Sequence, residues 1–464
     1  MESSPDGLTD YSGKTEVCLS PDAIRAQGID EFGIRGACAW GKRGVIFSKM
    51  ASLPSALYLG QFYDDNTYTI IPRNLCDLAA IYAYVKCGQF NADVRKFNQK
   101  TNITRELAEV IPFDISHWQR VADAEYADGL PKPHSDDPTQ WLFNGHPKGS
   151  DHPLQVAVAR LLGYRWPRQT GSSFPDCPAL GPDGLEAYAD ADGIVCLSPV
   201  KGEPPAADRL RALLAAAYGN EWSADKQAEL LAQVGYANKT LEDWLRDAFF
   251  AQHCELFHQR PFIWHIWDGL RNGFHALVNY HKLAGPNGEG RRTLEMLIYT
   301  YLGDWIDRQR ADQKAGVEGA DARLAAAQYL KSELEKILEG EPPYDIFVRW
   351  KPLHQQPIGW EPDINDGVRL NIRPFMTARP LEARGKNACI LRVTPRIKWE
   401  KDRGKEPHRP REDYPWFWGW DQKTENFPGG KDFDGNRWND LHYSRAFKQA
   451  ARERRAAQPQ GQRA

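Results

Sequence analysis

Arg260-Pro261-Phe262-Ile263-Trp264-His265-Ile266-Trp267-Asp268-Gly269 is the stretch on which the fold class turns. Phe262–Trp267 is a short apolar run rich in aromatic and β-branched residues, closed by an Asp-Gly turn, and it reads as a strand. Helical patterns lie on both sides of it. Upstream, Ala206–Ala217, Ser223–Val234 and Leu241–Leu256 read as three short helices, each bounded by Gly, Asn or Asp. Their tight turns suit a winged-helix-like bundle, although spacing alone does not decide it. Downstream, Arg291–Arg310 and Asp321–Leu338 are long amphipathic patterns separated by Ala311–Ala320, the signature of an antiparallel helical hairpin. Strands and helices in separate runs give an α+β, multi-domain chain.

Working outward, Ala56–Phe62 and Tyr68–Pro72 read as strands around an Asp64-Asp65-Asn66 turn. Leu75–Cys87 has helical spacing behind a candidate cap, Asn74; Asn91–Lys100 is a short basic helix or loop, and Val110–Phe113 a brief strand. Asp123–Pro153 and Pro167–Asp192 read as long ordered loops flanking a helix at Leu154–Leu162. Tyr344–Trp350 and Val368–Ile372 read as strands, and Ser444–Arg455 as a basic helix. The expected organisation is a leader (1–17), a mixed-sheet, recognition-like region (18–120), loops (121–205), a helical bundle (206–259), strands plus hairpin (260–385) and a basic Pro/Trp-rich tail (386–464).

A chain of 464 residues suggests two to four domains. The net charge of −3 carries no global basic field, so any nucleic-acid face is local. Eight scattered cysteines without a C-x-x-C pair indicate reduced thiols and a cytoplasmic location, not a disulfide frame or zinc ribbon. The polar start, Met1–Gly13, has no apolar core of an export signal, and no apolar run reaches membrane-spanning length. Phosphate-binding G-x-x-x-x-G-K-[ST] and nucleophile-elbow G-x-S-x-G motifs are both absent from the sequence.

Several constellations bear chemistry. Arg35, Lys42, Arg43 and Lys49 share a segment with Gly33, Gly36, Gly41 and Gly44, where glycines let amides approach a phosphate and cations neutralise it. A solvated loop has the same composition. Arg95-Lys96-Phe97-Asn98-Gln99-Lys100-Thr101-Asn102 concentrates residue types that read guanine and adenine edges, while Asn66 lies on the preceding turn. The alternative is a polar helix end. His134, Asp136, Asp137, His146 and His152 are metal-binding types, yet their irregular spacing suits Asx turns. His253 and His258, five apart, are off a shared helical face, and His265 reads as a core histidine bonded to a neighbour. The basic stretch Arg392, Arg396, Lys398, Lys401, Arg403, Lys405, Arg409 and Arg411 is interleaved with Trp399 and followed by Trp416, Trp418 and Trp420. It suits either a nucleic-acid backbone or a Pro-rich strap.

From about Leu57 to Met376 the chain resembles large single-chain adenine-specific DNA methyltransferases of the type IIG, BREX and class 1 DISARM phage-defence kind. The resemblance rests on Phe62-Tyr63-Asp64-Asp65-Asn66-Thr67-Tyr68, on Phe90–Thr104, on Val110–Asp114 with Trp118, and on Ser135–Trp141. It continues through Leu161–Pro167, Arg260–Gly269, Asn272–Leu277, Tyr344–Pro352, Gly359–Pro362 and Asn365–Asn371.

The resemblance implies N6-adenine methylation from S-adenosylmethionine, with this region supplying target recognition and a helical spacer. The family's cofactor turn and its Asp/Asn/Ser-Pro-Pro-aromatic loop are not found. The nearest match, Glu341-Pro342-Pro343-Tyr344, has an acceptor one methylene too long and follows a Gly that ends a helix. Catalytic, cofactor and metal residues are therefore not expected here, and S-adenosylmethionine belongs to a missing or separately encoded catalytic half. The expected partners are double-stranded DNA, that half and other defence-system subunits, with no membrane. Arg35, Lys42, Arg43, Lys49, Asn66, Arg95, Lys96, Asn98, Gln99, Lys100 and Asn102 are the expected DNA-binding residues. A free-standing DNA-binding regulator and a metal-dependent nuclease on His134, Asp136, His146 and His152 are the rival readings.

Overall fold

The computed structural model describes residues 4–13, 36–100, 102–140, 142–172, 177–341, 344, 353–364, 367–383, 385, 388–397 and 445–458. They fall into two compact units, Met1–Gly145 with Trp166–Gly181 and His146–Arg165 with Pro182–Ala464. The fold is α+β, with small sheets among many helices.

The first unit is built on β1 (Gly44–Ser48), β2 (Ser55–Tyr58) and β3 (Thr67–Ile70), in the order β2-β1-β3. Both pairings are antiparallel, so the expected mixed sheet is corrected. The two anticipated strands exist but do not pair with each other. Each pairs with β1, which the sequence reading leaves inside a glycine-containing cationic segment. Its apolar run Val45-Ile46-Phe47 does not alternate because both faces are covered. Val45 and Phe47 join Leu78, Tyr82, Phe90 and Val94 on one side. Ile46 packs with Ala39, Ala56 and Tyr58 on the other. Any side chain at Gly44 would collide with the Ile70 carbonyl, so the glycine here serves strand pairing.

Helix α1 (Leu78–Lys86) follows a 3-10 turn at Leu75–Asp77, and the Asn74 side chain caps neither. Helix α2 (Gln89–Phe97) starts after Gly88, and α3 (Ile115–Glu125) is capped by Asp114, which accepts the His117 amide at 3.1 Å. Ala80 and Ala83 of α1 meet Ala122 of α3, small residues that allow close helix approach. The expected strand Val110–Phe113 is absent. A short helix, Arg105–Glu109, ends there and the chain runs straight to the Asp114 cap. Ile111 docks singly into the core, and Phe113 lies 5.1 Å from the Tyr84 ring.

In the second unit, β4 (Ile194–Cys196), β5 (Ile263–Trp267) and β6 (His275–Asn279) form an antiparallel sheet in the order β4-β6-β5. Asp268 closes the β5–β6 connection by accepting the Leu270 amide at 3.0 Å and the Phe274 amide at 2.8 Å. Helices α4 (Pro153–Leu161), α5 (Ala206–Tyr218) and α6 (Ala224–Gln233) match the sequence pattern. Leu241–Leu256 divides at Ala248 into α7 (Leu241–Asp247) and α8 (Phe249–Leu256). The break lets Trp244 and Phe249 bury fully together, their rings 5.4 Å apart. Each such side chain contributes roughly 1.5–3 kcal/mol by leaving water.

The hairpin is as expected. Helices α9 (Glu289–Glu295) and α10 (Leu302–Lys314) continue through a π-helical segment, Met296–Tyr301, and α11 (Ala320–Glu339) packs back along α10. The expected strand Val368–Ile372 is instead helix α12 (Gly367–Asn371). Val368, Leu370 and Ile372 alternate like a strand, but Val368 and Ile372 are also one helical turn apart, and the Ile372 amide bonds the Val368 carbonyl at 2.9 Å. Helix α13 (Arg445–Ala457) is the expected basic helix. Of the proposed strand Tyr344–Trp350, only Tyr344 lies within the described residues.

Candidate nucleic-acid interface

Helix α2 carries Phe90 and Val94 into the core and presents its other faces to solvent. Its last turn and the following loop hold the candidate base readers. Arg95 organises them. Its Nε donates to Asn91 Oδ1 at 3.2 Å, and its two terminal nitrogens donate to the carbonyls of Lys100 and Ala51. One rigid guanidinium fork thereby ties the loop after α2 to the loop after β1. Asn98 accepts the Lys100 amide on Oδ1 at 2.8 Å, which tightens the loop as an Asx turn. Arg95 and Asn98 thus shape the element. Gln99, Lys100 and Asn102 stand exposed on it, while Lys96 is exposed but pairs with Asp93 at 2.6 Å.

The glycine-containing segment offers less to a phosphate. The Gly41 amide bonds the Gly60 carbonyl at 2.9 Å, and the Lys42 amide bonds the Ala39 carbonyl at 3.1 Å, so those donors are already engaged. Lys42 is exposed and Arg43 half-buried at the entrance to β1. Lys49, at its exit, reaches Asp65 and stands 4.5 Å over the Tyr68 ring. Asn66 is exposed on the turn that Asp64 holds through the Asn66 amide. Arg35 lies outside the described residues.

In the loop that holds His134 and Asp136, Asp137 closes a turn. Asp137 accepts the Thr139 amide and hydroxyl, both at 2.8 Å, while Ser135 accepts the Asp137 amide. His146 accepts the Lys148 amide, and Ser150 the His152 amide. Among the described residues, no group of three or more His, Cys, Asp or Glu is placed to hold a metal ion.

The buried histidines are structural. His253 Nε2 accepts the amides of Phe262 and Ile263 at 3.2 and 3.1 Å, so its proton sits on Nδ1, 3.1 Å from Gln155 Oε1. Burial pushes its pKa down to about 3. His275 Nε2 faces the Leu270 carbonyl at 2.9 Å and must donate, leaving Nδ1 to accept from His265 Nε2 at 3.0 Å. Burial lowers His275 to about 4 and holds His265 well below the ordinary range. His265 is the neighbour-bonded core histidine that its strand pattern suggests.

A cleft of about 730 Å³ opens beside His275, lined by Glu242, Asp243, Arg246 and Arg271 among others. Its charges are matched internally. Arg246 and Arg271 bind Asp247 at 3.0 and 3.2 Å, and Arg211 binds Glu242 at 2.6 Å. In the basic stretch, Arg392 stacks 4.6 Å over Trp267 and binds the Arg246 carbonyl, and Arg396 pairs with Glu255. Both are fold contacts. Lys398, Lys401, Arg403, Lys405, Arg409, Arg411 and the tryptophans between and after them lie outside the described residues.

Glu341 behaves as helix punctuation. Its amide bonds the Lys336 carbonyl at 2.9 Å, and Gly340 takes the left-handed conformation in a Schellman end to α11. Tyr344 is tethered through its hydroxyl to Glu333 of that helix. No protein-family model and no curated protein matches the chain. No helix among the described residues is long and apolar enough to cross a membrane.

Proposed function

We propose that the chain is the DNA-recognition portion of an adenine-N6 methyltransferase system of phage defence or restriction-modification, acting in the cytoplasm. It works with a methyltransferase half that carries the S-adenosylmethionine and catalytic motifs, and with other subunits of the same system. The observation that carries the reading is the loop after α2. Gln99, Lys100 and Asn102 are exposed there on a backbone that Arg95 and Asn98 fix in place. Amide side chains bond adenine edges in pairs, and a lysine meets guanine or phosphate. The resemblance to adenine methyltransferases supplies the reaction.

The roles divide by chemistry. Lys42, exposed at the entrance to β1, grips phosphate, whereas Gln99 and Asn102 read bases. Binding to duplex DNA therefore weakens steeply between about 50 and 200 mM salt as counterions are released. Supplying the catalytic half in trans and mapping methylated adenines tests the division. Gln99→Ala should cost about 1–3 kcal/mol at the preferred site and relax the motif, while Lys42→Ala should lower yield at every site. Salt-independent binding, or none at low salt, would end the DNA reading. An unchanged motif at full yield in the Gln99 and Asn102 variants would remove this loop from it.

A further inference from the structure

Phe90, Val94 and Phe97 form one stripe on α2, at spacings of four and three residues. The first two are buried, at 2% and 0% exposure, but Phe97 is 62% exposed. The stripe therefore overruns the core and leaves a phenyl ring in water. In the sequence it stands between Lys96 and the exposed Gln99, Lys100 and Asn102. Arg95, two residues earlier and so on another face of the helix, anchors the same turn to the chain at Ala51 and Lys100. An exposed aromatic on a held turn, among cations and amides, is complementary to a base with its phosphates.

We propose that Phe97 is a stacking platform for an unstacked DNA base, adjoining the reading loop. The inference rests on the DNA reading above and adds to it the conformation of the DNA that is bound. The phenyl face supplies sequence-tolerant stacking, Gln99 and Asn102 address the edges of neighbouring bases, and Lys100 meets the backbone. A base already displaced from its pair, by a mismatch or an opposite gap, reaches the ring without the unstacking penalty.

The experiment uses the full chain and two duplexes that differ only by one mismatched base pair, titrated at fixed low salt with salt series alongside. The wild type should bind the mismatched duplex more tightly. Phe97→Ala should lose about 5- to 150-fold in affinity for it, the range expected for one base–aromatic stack, while its salt-dependent binding of the paired duplex stays. Phe97→Trp should keep the preference, and thermal melting should show both variants folded. No wild-type binding to either duplex would overturn the DNA reading and this proposal together. Intact binding with a mismatch preference unchanged by Phe97→Ala would overturn this proposal alone. So would a change of oligomeric state in Phe97→Ala, which would assign the ring to a second copy of the chain, or equal loss on both duplexes.

Discussion

His253 sets a pH limit on the second unit that can be worked out from its surroundings. Its Nε2 accepts two backbone amides and its Nδ1 donates to Gln155, so the fold holds it neutral. Its folded pKa is about 3, against about 6.5 for an unfolded histidine. The unfolded state therefore binds more protons below pH 6.5, and stability is lost as pH falls from there towards 3. At pH 5 the unfolded imidazole is almost wholly protonated and the folded one is not, a difference of about 2 kcal/mol from this residue alone. Above pH 7 the contribution to pH dependence vanishes. His265 and His275, both lowered by burial, act in the same direction as a coupled pair. The assay is urea denaturation of the full chain between pH 7.5 and 5, followed by hydrogen exchange of the β5 and β6 amides. His253→Gln keeps an acceptor but cannot titrate. It should start less stable at pH 7.5 yet lose about 2 kcal/mol less on acidification. An acid loss in His253→Gln equal to that of the wild type would refute the reasoning.

Two more outcomes follow from single contacts. Arg95→Ala removes a fork bound to Asn91, Lys100 and Ala51, so the amides of Asn98, Gln99 and Lys100 should exchange faster and the first unit should lose about 1–2 kcal/mol. Lysine at this position cannot span the three acceptors and should not restore protection, so a rescued Arg95→Lys variant would count against the fork. Gly340 has φ +67, and an added Cβ would run into the Gly359 backbone. Gly340→Ala should cost about 1–3 kcal/mol in thermal unfolding, and an unchanged midpoint would show that this helix end is not tightly held.

Helices with strong caps and long apolar periods were legible. Ser223 and Thr240 accept the amides that begin α6 and α7, and the hairpin pattern survives the π-helical segment between α9 and α10. The central strands were not. β1 and β6 are covered on both faces, so neither shows the alternation that marks a half-exposed strand, and each is centred in its sheet by a second partner beyond its hairpin neighbour. Alternation also misled at Val368–Ile372, where a four-residue spacing serves a helix equally well. In the candidate site, residue types were readable but not their employment. As letters Lys49 looks like a phosphate ligand and Arg95 like a base reader, whereas their hydrogen bonds go to Asp65, to the Asn91 side chain and to backbone carbonyls of the same unit. A sequence shows that a cation is present; a partner in space shows that it is already committed.

The way Arg95 holds its loop leaves the neighbouring letters open to drift. Besides the Asn91 side chain, the guanidinium grasps main-chain oxygens at Lys100 and Ala51, which every amino acid supplies, and Asn98 contributes its side chain to the turn. Ala51 has φ +56, which disfavours branched residues there, but no such demand falls on positions 99, 100 and 102. Their side chains can be exchanged without rebuilding the scaffold beneath them. Under the proposed DNA reading, point changes at positions 99, 100 and 102 would therefore alter what the loop recognises and leave its frame standing.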